Sequence, residues 1–328
     1  MPETATPSRR GRPLRLVSAF VMLLALSGYT YVQYMTSRDS LPRCVVRASG
    51  DDAASYALSP DRAANAATIA AVGSGRGLPE RAVTIALATA LQESALRNLD
   101  YGDRDSLGLF QQRPSKGWGT EAQVQDPVYA AGEFYDHLVK VQGYDRMPLT
   151  EAAQRVQRSG FPLAYAKHEP DAALLASALT GRSAASLTCS APNGGVMGDP
   201  AEVRAQLVRA FGADVLPAGR SAGKSAPGGS GAGAGAGAGS GGELSVPVPA
   251  AAAGTAPRRG DPAGGTAGSR HGWELAHWAV AQSTALGIDE VSFAGRVWSA
   301  EDAFKGWRPV AGPAVTASTA EVRIRTAR

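Results

Sequence analysis

Between Arg81 and Arg97 the chain carries a single charged side chain, Glu93. It lies on a segment whose apolar residues Val83, Ala86, Leu87, Ala90 and Leu91 recur at i, i+3, i+4, i+7 and i+8, the spacing of a largely buried helix. Apolar surroundings disfavour the ionised carboxylate, and the partial negative charge at a helix C-terminus disfavours it further. Both effects hold a carboxylic acid protonated near neutral pH, the state that a general acid needs. The plain alternative is a glutamate that points to solvent at the end of its helix.

The residues after Glu93 strengthen the general-acid reading. The run Glu93-Ser94-Ala95-Leu96, with Ser106-Leu107-Gly108-Leu109-Phe110-Gln111-Gln112 beyond it, resembles the lysozyme-like superfamily, specifically the soluble lytic transglycosylases and goose-type lysozymes. In that family an E-S dipeptide ends the catalytic helix and a G-L-M-Q turn comes next; here Phe110 stands where the pattern has Met. The resemblance covers Ser59 to about Thr180. It implies that Glu93 is the general acid/base for the β-1,4 bond between N-acetylmuramic acid and N-acetylglucosamine, and that Gly108 to Gln111 form the turn beside it. The family's third motif, A-Y-N-A-G, is met only by the Tyr of Ala164-Tyr165-Ala166.

Around this core the candidate substrate-binding residues are Tyr101, Gln111, Gln112, Ser115, Trp118 and Tyr165, which offer amide, hydroxyl and aromatic faces suited to N-acetyl sugars. Trp118 and Tyr165 are equally well read as core aromatics. A single carboxylate suffices where the acetamido group of the substrate acts as nucleophile, giving 1,6-anhydro products without water. Asp103 and Asp105 are the candidates for a second carboxylate that would make the enzyme a hydrolase. Their alternative role is ion pairing with Arg104 and Arg113.

The four histidines and two cysteines show no CxxC, HxxxH or HExxH spacing, so neither a metal site nor a cofactor is expected. A net charge of +4, from 33 basic and 29 acidic residues, is too small for a general nucleic-acid binder. The expected partner is the glycan strand of peptidoglycan. A non-catalytic wall-binding or scaffold protein that keeps a lysozyme-like groove is the reading from another class.

The elements that must position these residues are legible in outline. Arg9, Arg10, Arg12 and Arg15 precede an uncharged run at 16–35, which predicts one transmembrane anchor behind a cytoplasmic tail at 1–15. Everything beyond would be extracytoplasmic; cleavage near Ser27, as in a signal peptide, is the alternative. Export favours a disulfide between Cys44 and Cys189, which bracket the candidate domain at 44–189. Pro60, Pro79 and Pro127 mark helix starts, and glycines interrupt the stretch from Leu99 to Gly119. A short helix is expected at 199–212, a disordered Gly/Ala-rich linker at 213–269, and a small α+β module at 270–328 whose tryptophans form either a core or a wall-binding face. The fold class expected is mainly α: a lysozyme-like α+β domain behind a membrane helix, a flexible linker and the small module.

Overall fold

The computed structural model describes residues 19–32, 42–48, 54–161, 163–190, 196–216, 242–249, 267–310 and 319–328. The chain divides into two units, Met1–Leu41 and Pro42–Arg328. In the first, residues 19–32 form a helix, α1. Among the described residues no helix is long and apolar enough to cross a membrane, which overturns the single-pass anchor at 16–35 and the localisation built on it. The tail at 1–15, and residues 16–18 and 33–35 of the expected span, lie outside the described residues.

The second unit mixes helices with two antiparallel sheets, and this corrects the expectation of a mainly α protein. Strands β1 (Cys44–Arg47), β2 (Ser55–Leu58) and β3 (Leu187–Cys189) form a small sheet in the order β2-β1-β3. Cys44 stands directly opposite Cys189 across β1 and β3, and the two are joined by a disulfide. The strands are only three or four residues long, too short for an alternating pattern to stand out from an Ala-rich sequence.

Helix α2 (Pro60–Gly75) begins with proline at its first turn, where the missing N–H costs nothing, and packs against several of the later helices. α3 (Glu80–Ser94) is buried on nearly all sides from Ala82 to Leu91, because its many alanines let neighbours approach closely. α4 (Glu121–Val124) is closed by a capping box between Thr120 and Gln123. α5 (Pro127–Leu138) is capped by Asp126, whose carboxylate accepts from the Val128 N–H at 3.0 Å. α6 (Leu149–Gln157) and α7 (Glu169–Leu179) complete this part, with α7 packed along α3.

α8 (Pro200–Phe211) comes next, and then β4 (Glu243–Pro247), which lies inside the stretch expected to be a linker at 213–269. Residues 217–241 and 250–266 of that stretch lie outside the described residues. β4 joins β5 (Ile288–Phe293), β6 (Arg296–Ser299), β7 (Arg308–Pro309) and β8 (Glu321–Thr326) in a sheet ordered β4-β8-β5-β6-β7. α9 (Ala267–Ala281) and α10 (Ser283–Leu286) precede β5, and α9 packs on this sheet as well as on α2, α7 and β3.

The tryptophans of the C-terminal segment take the core alternative: Trp273, Trp278, Trp298 and Trp307 are all buried. Two of them reach the small sheet, with Trp307 Nε1 donating to Leu187 O at 2.8 Å and Trp298 Nε1 to Thr188 Oγ1 at 3.1 Å. Between them and α7 sits His277, whose Nδ1 lies 2.7 Å from Ala178 O while its Nε2 accepts from the Ser186 N–H at 3.2 Å. Complete burial lowers the pKa of this imidazole to about 4. The segment shares one core with the preceding helices instead of standing alone.

Candidate active site

Glu93 sits one residue before the end of α3. Beyond it the chain must turn sharply, and Ala95 (φ 54°) and Leu96 (φ 61°) both adopt the left-handed conformation, at a cost of about 1–2 kcal/mol each. α2 over-determines this turn: Arg62 Nε donates to Ala95 O at 2.6 Å and Asn65 Nδ2 to Leu96 O at 2.8 Å. The strain therefore sits beside the carboxyl, in a segment held by two side chains from another helix.

The next loop is tied to the same place. Ser94 Oγ donates to Leu109 O at 2.8 Å, fixing the Gly108–Gln111 turn against the end of α3. Gly108 has φ 76°, and a Cβ there would lie 2.2 Å from Val124 O, so only glycine fits. Phe110, in the position where the resembled pattern has Met, is fully buried and stacked on Phe134 at 4.7 Å between ring centroids.

Tyr165 comes from a turn just before the 3₁₀ segment Ala166–His168 that leads into α7. Its ring is fully buried, and its hydroxyl donates to Glu93 Oε1 at 2.7 Å. Burial, and then the charge of Glu93, raise the phenol pKa, so it remains a donor. The Glu93 pKa is raised by desolvation, while hydrogen bonds from Tyr165 and Gln157 pull it down. Two neutral donors, Tyr165 and Gln157, thus orient the carboxyl while desolvation favours its protonated form.

Gln157 belongs to none of the motifs read from the sequence. It ends α6, donates to Phe110 O at 2.7 Å, and lines a groove of about 650 Å³. Leu149, Ala152, Ala153 and Val156 form the buried face of α6, and Gln157, eight residues after Leu149, continues that inward stripe. A polar residue at an inward helical position is the signal that could have found it. Glu93 is not part of the groove lining; Gln157 connects the two.

The remaining sequence candidates divide. Gln111 and Trp118 line the groove, Gln111 in a left-handed conformation (φ 48°) and Trp118 with its ring 4.2 Å from that of His137. Gln112 also reaches the lining, but it is only 2% exposed and spends its amide on Ala130 O at 3.0 Å, a core role. Tyr101 and Ser115 are exposed and are not among the groove residues. Asp105 pairs with Arg113 Nε at 2.8 Å and accepts from the Ser115 N–H at 2.8 Å. Ser115 first, and then Arg113, hold its carboxyl well below the usual carboxylate range, which makes it a loop clamp. Asp103 is exposed.

A family model described as "VldE, C-terminal domain" matches residues 256–320, less than half of the chain and beyond the residues that carry this site. No curated protein matches the chain.

Proposed function

We propose that this protein cleaves the β-1,4 glycosidic bonds of peptidoglycan with Glu93 as general acid. The observation that carries the reading is the Glu93–Tyr165 pair: a desolvated carboxyl at a helix end, with one oxygen held by a buried phenol at 2.7 Å. The raised pKa favours the protonated acid. The Ser94–Leu109 and Gln157–Phe110 bonds support it by fixing the loop that would border the scissile sugar. The Cys44–Cys189 disulfide fits a protein that works outside a reducing compartment.

The chemistry needs only one carboxyl. The Glu93 carboxylic acid protonates the glycosidic oxygen as the C1–O bond breaks, and the acetamido oxygen of the muramic residue closes on C1. The Glu93 carboxylate then removes the proton from the 6-hydroxyl of the same sugar, whose oxygen displaces the acetamido group and forms the 1,6-anhydro ring. Asp105 is already committed to Arg113 and Ser115, which argues against a second carboxylate holding water and favours transfer over hydrolysis. Mass analysis of fragments released from purified peptidoglycan tests this. The expected products end in 1,6-anhydromuramic acid, and Glu93→Gln slows their release about 10²-fold or more. Reducing ends would turn the assignment to a hydrolase, and no release by the folded wild type would leave a non-catalytic wall binder.

A further inference from the structure

The groove beside Gln157 carries a charge pattern that glycosidic cleavage does not use. Its lining includes five cations, Arg113, Lys116, Lys140, Arg155 and Arg158, and no acidic residue. Asp105 neutralises Arg113 and Glu151 neutralises Arg155 from outside the lining. Lys116, Lys140 and Arg158 are exposed and make no ion pair among the described residues. They come from three separate places: the 3₁₀ turn Pro114–Lys116, the end of α5 and the cap of α6.

Arg158 is the most telling. It caps α6 with φ 52°, a conformation in which glycine is the ordinary residue. Five of the seven described non-glycine residues with positive φ, Ala95, Leu96, Arg104, Gln111 and Arg158, lie at or around the candidate site, and Gln111 and Arg158 both line the groove. Strain of this kind persists where surrounding structure or function requires the side chain.

We propose that this groove binds the carboxylates of the peptide stems carried by the glycan strand. The inference rests on the reading of Glu93 as the acid of a peptidoglycan-cleaving site. In that substrate the peptide branches from the muramic sugar at the bond being cleaved, so a subsite adjoining Glu93 through Gln157 is where it would lie. Three cations spread over three elements suit several singly charged carboxylates better than one compact phosphate, while the Trp118 ring offers a face for the sugar. Lys140 and Arg158 also lie just past helix C-termini, where the helix dipole favours a cation whatever the ligand. The test separates the two roles.

Calorimetric titration of the full chain with N-acetylglucosaminyl-N-acetylmuramyl tetrapeptide, and with the same disaccharide lacking the peptide, requires no turnover. The stem-bearing probe is expected to bind about tenfold more tightly at low salt. In the combined Lys116→Gln, Lys140→Gln, Arg158→Gln protein that advantage falls to about twofold or less. Arg158→Gly alone is expected to raise the melting temperature by relieving strain while weakening the stem-bearing probe about threefold, a combination that a purely structural cation does not produce. Equal affinities, an advantage that survives the triple substitution, no binding, or tighter binding of a phosphodiester-linked wall oligomer would each overturn the proposal. Failure of the catalytic reading is distinct: it leaves stem-dependent binding intact with no release of glycan fragments.

Discussion

Tyr165→Phe isolates the one contact on which the acid assignment depends. The substitution keeps a fully buried ring and deletes a hydroxyl 2.7 Å from Glu93 Oε1. A hydrogen bond to an ionised group contributes about 1.5–3 kcal/mol and one between neutral groups about 0.5–1.5. The phenol thus favours the carboxylate over the acid by roughly 1–1.5 kcal/mol, close to one pKa unit. Removing it leaves desolvation less opposed and raises the Glu93 pKa further. A general acid works only while protonated, so the alkaline limb of kcat/KM against pH should move up by about one unit. The plateau should fall roughly tenfold as the carboxyl loses its orientation. The assay is release of soluble fragments from labelled peptidoglycan between pH 4 and 9, with a thermal melt to confirm folding. An alkaline limb at the wild-type position, or one displaced toward acid, would refute the reasoning.

Glu93→Gln should cost about 10²-fold or more in rate. It should also stabilise the fold: a carboxyl with a raised folded pKa contributes its full stability below the unfolded value near 4.3 and loses it as pH rises through the folded value, so the melting advantage of Gln should grow across that window and then level off. Replacing Cys44 and Cys189 together by Ser opens a link spanning 145 positions, for which chain entropy gives an upper figure of about 4–5 kcal/mol, measurable by urea unfolding. Asp103→Asn should leave fragment release unchanged, whereas Asp105→Asn should loosen the 105–115 loop and raise KM more than it lowers kcat. The folded pKa of His277 is lowered to about 4, so its contribution is present above the unfolded pKa near 6.5 and is lost as pH falls toward 4, roughly 3 kcal/mol in all; His277→Gln should flatten that slope in pH-dependent melts.

The parts of this fold legible in the sequence are those set by local rules. Pro60 and Pro127 start helices where expected, the period of Val83 to Leu91 describes a buried α3, and the disulfide joins the two cysteines of the chain. Contacts between distant segments were less legible. Tyr165 reaches Glu93 across 72 positions, so only its place in a weak motif pointed to it. Gln112 has the same side chain as its neighbour Gln111, yet the Gln111 amide donates within its own loop, to Tyr101 O and Gly108 O, while that of Gln112 donates into the core, to Ala130 O. β4 was hidden because a five-residue strand with alternating burial, ending in proline beside a Gly/Ala run, reads as linker until β8 is there to pair with it. The uncharged run at 16–35 has the composition of a span, but among the described residues no helix is long and apolar enough to cross a membrane.

The seating of the tryptophans on the small sheet changes what counts as a separable part of this chain. Leu187 O and Thr188 Oγ1 take their donors from Trp307 and Trp298, and Ala178 O and the Ser186 N–H are both satisfied by His277. A fragment stopping after Cys189 would present those groups and the apolar floor beneath them to water, and the C-terminal fragment would expose the matching face. Cutting the backbone once between 217 and 241 removes none of these contacts. The two pieces should stay together as a non-covalent heterodimer, elute as one species and melt as one, so the protein is better regarded as a complementing pair of fragments on one chain than as one domain with an appendage.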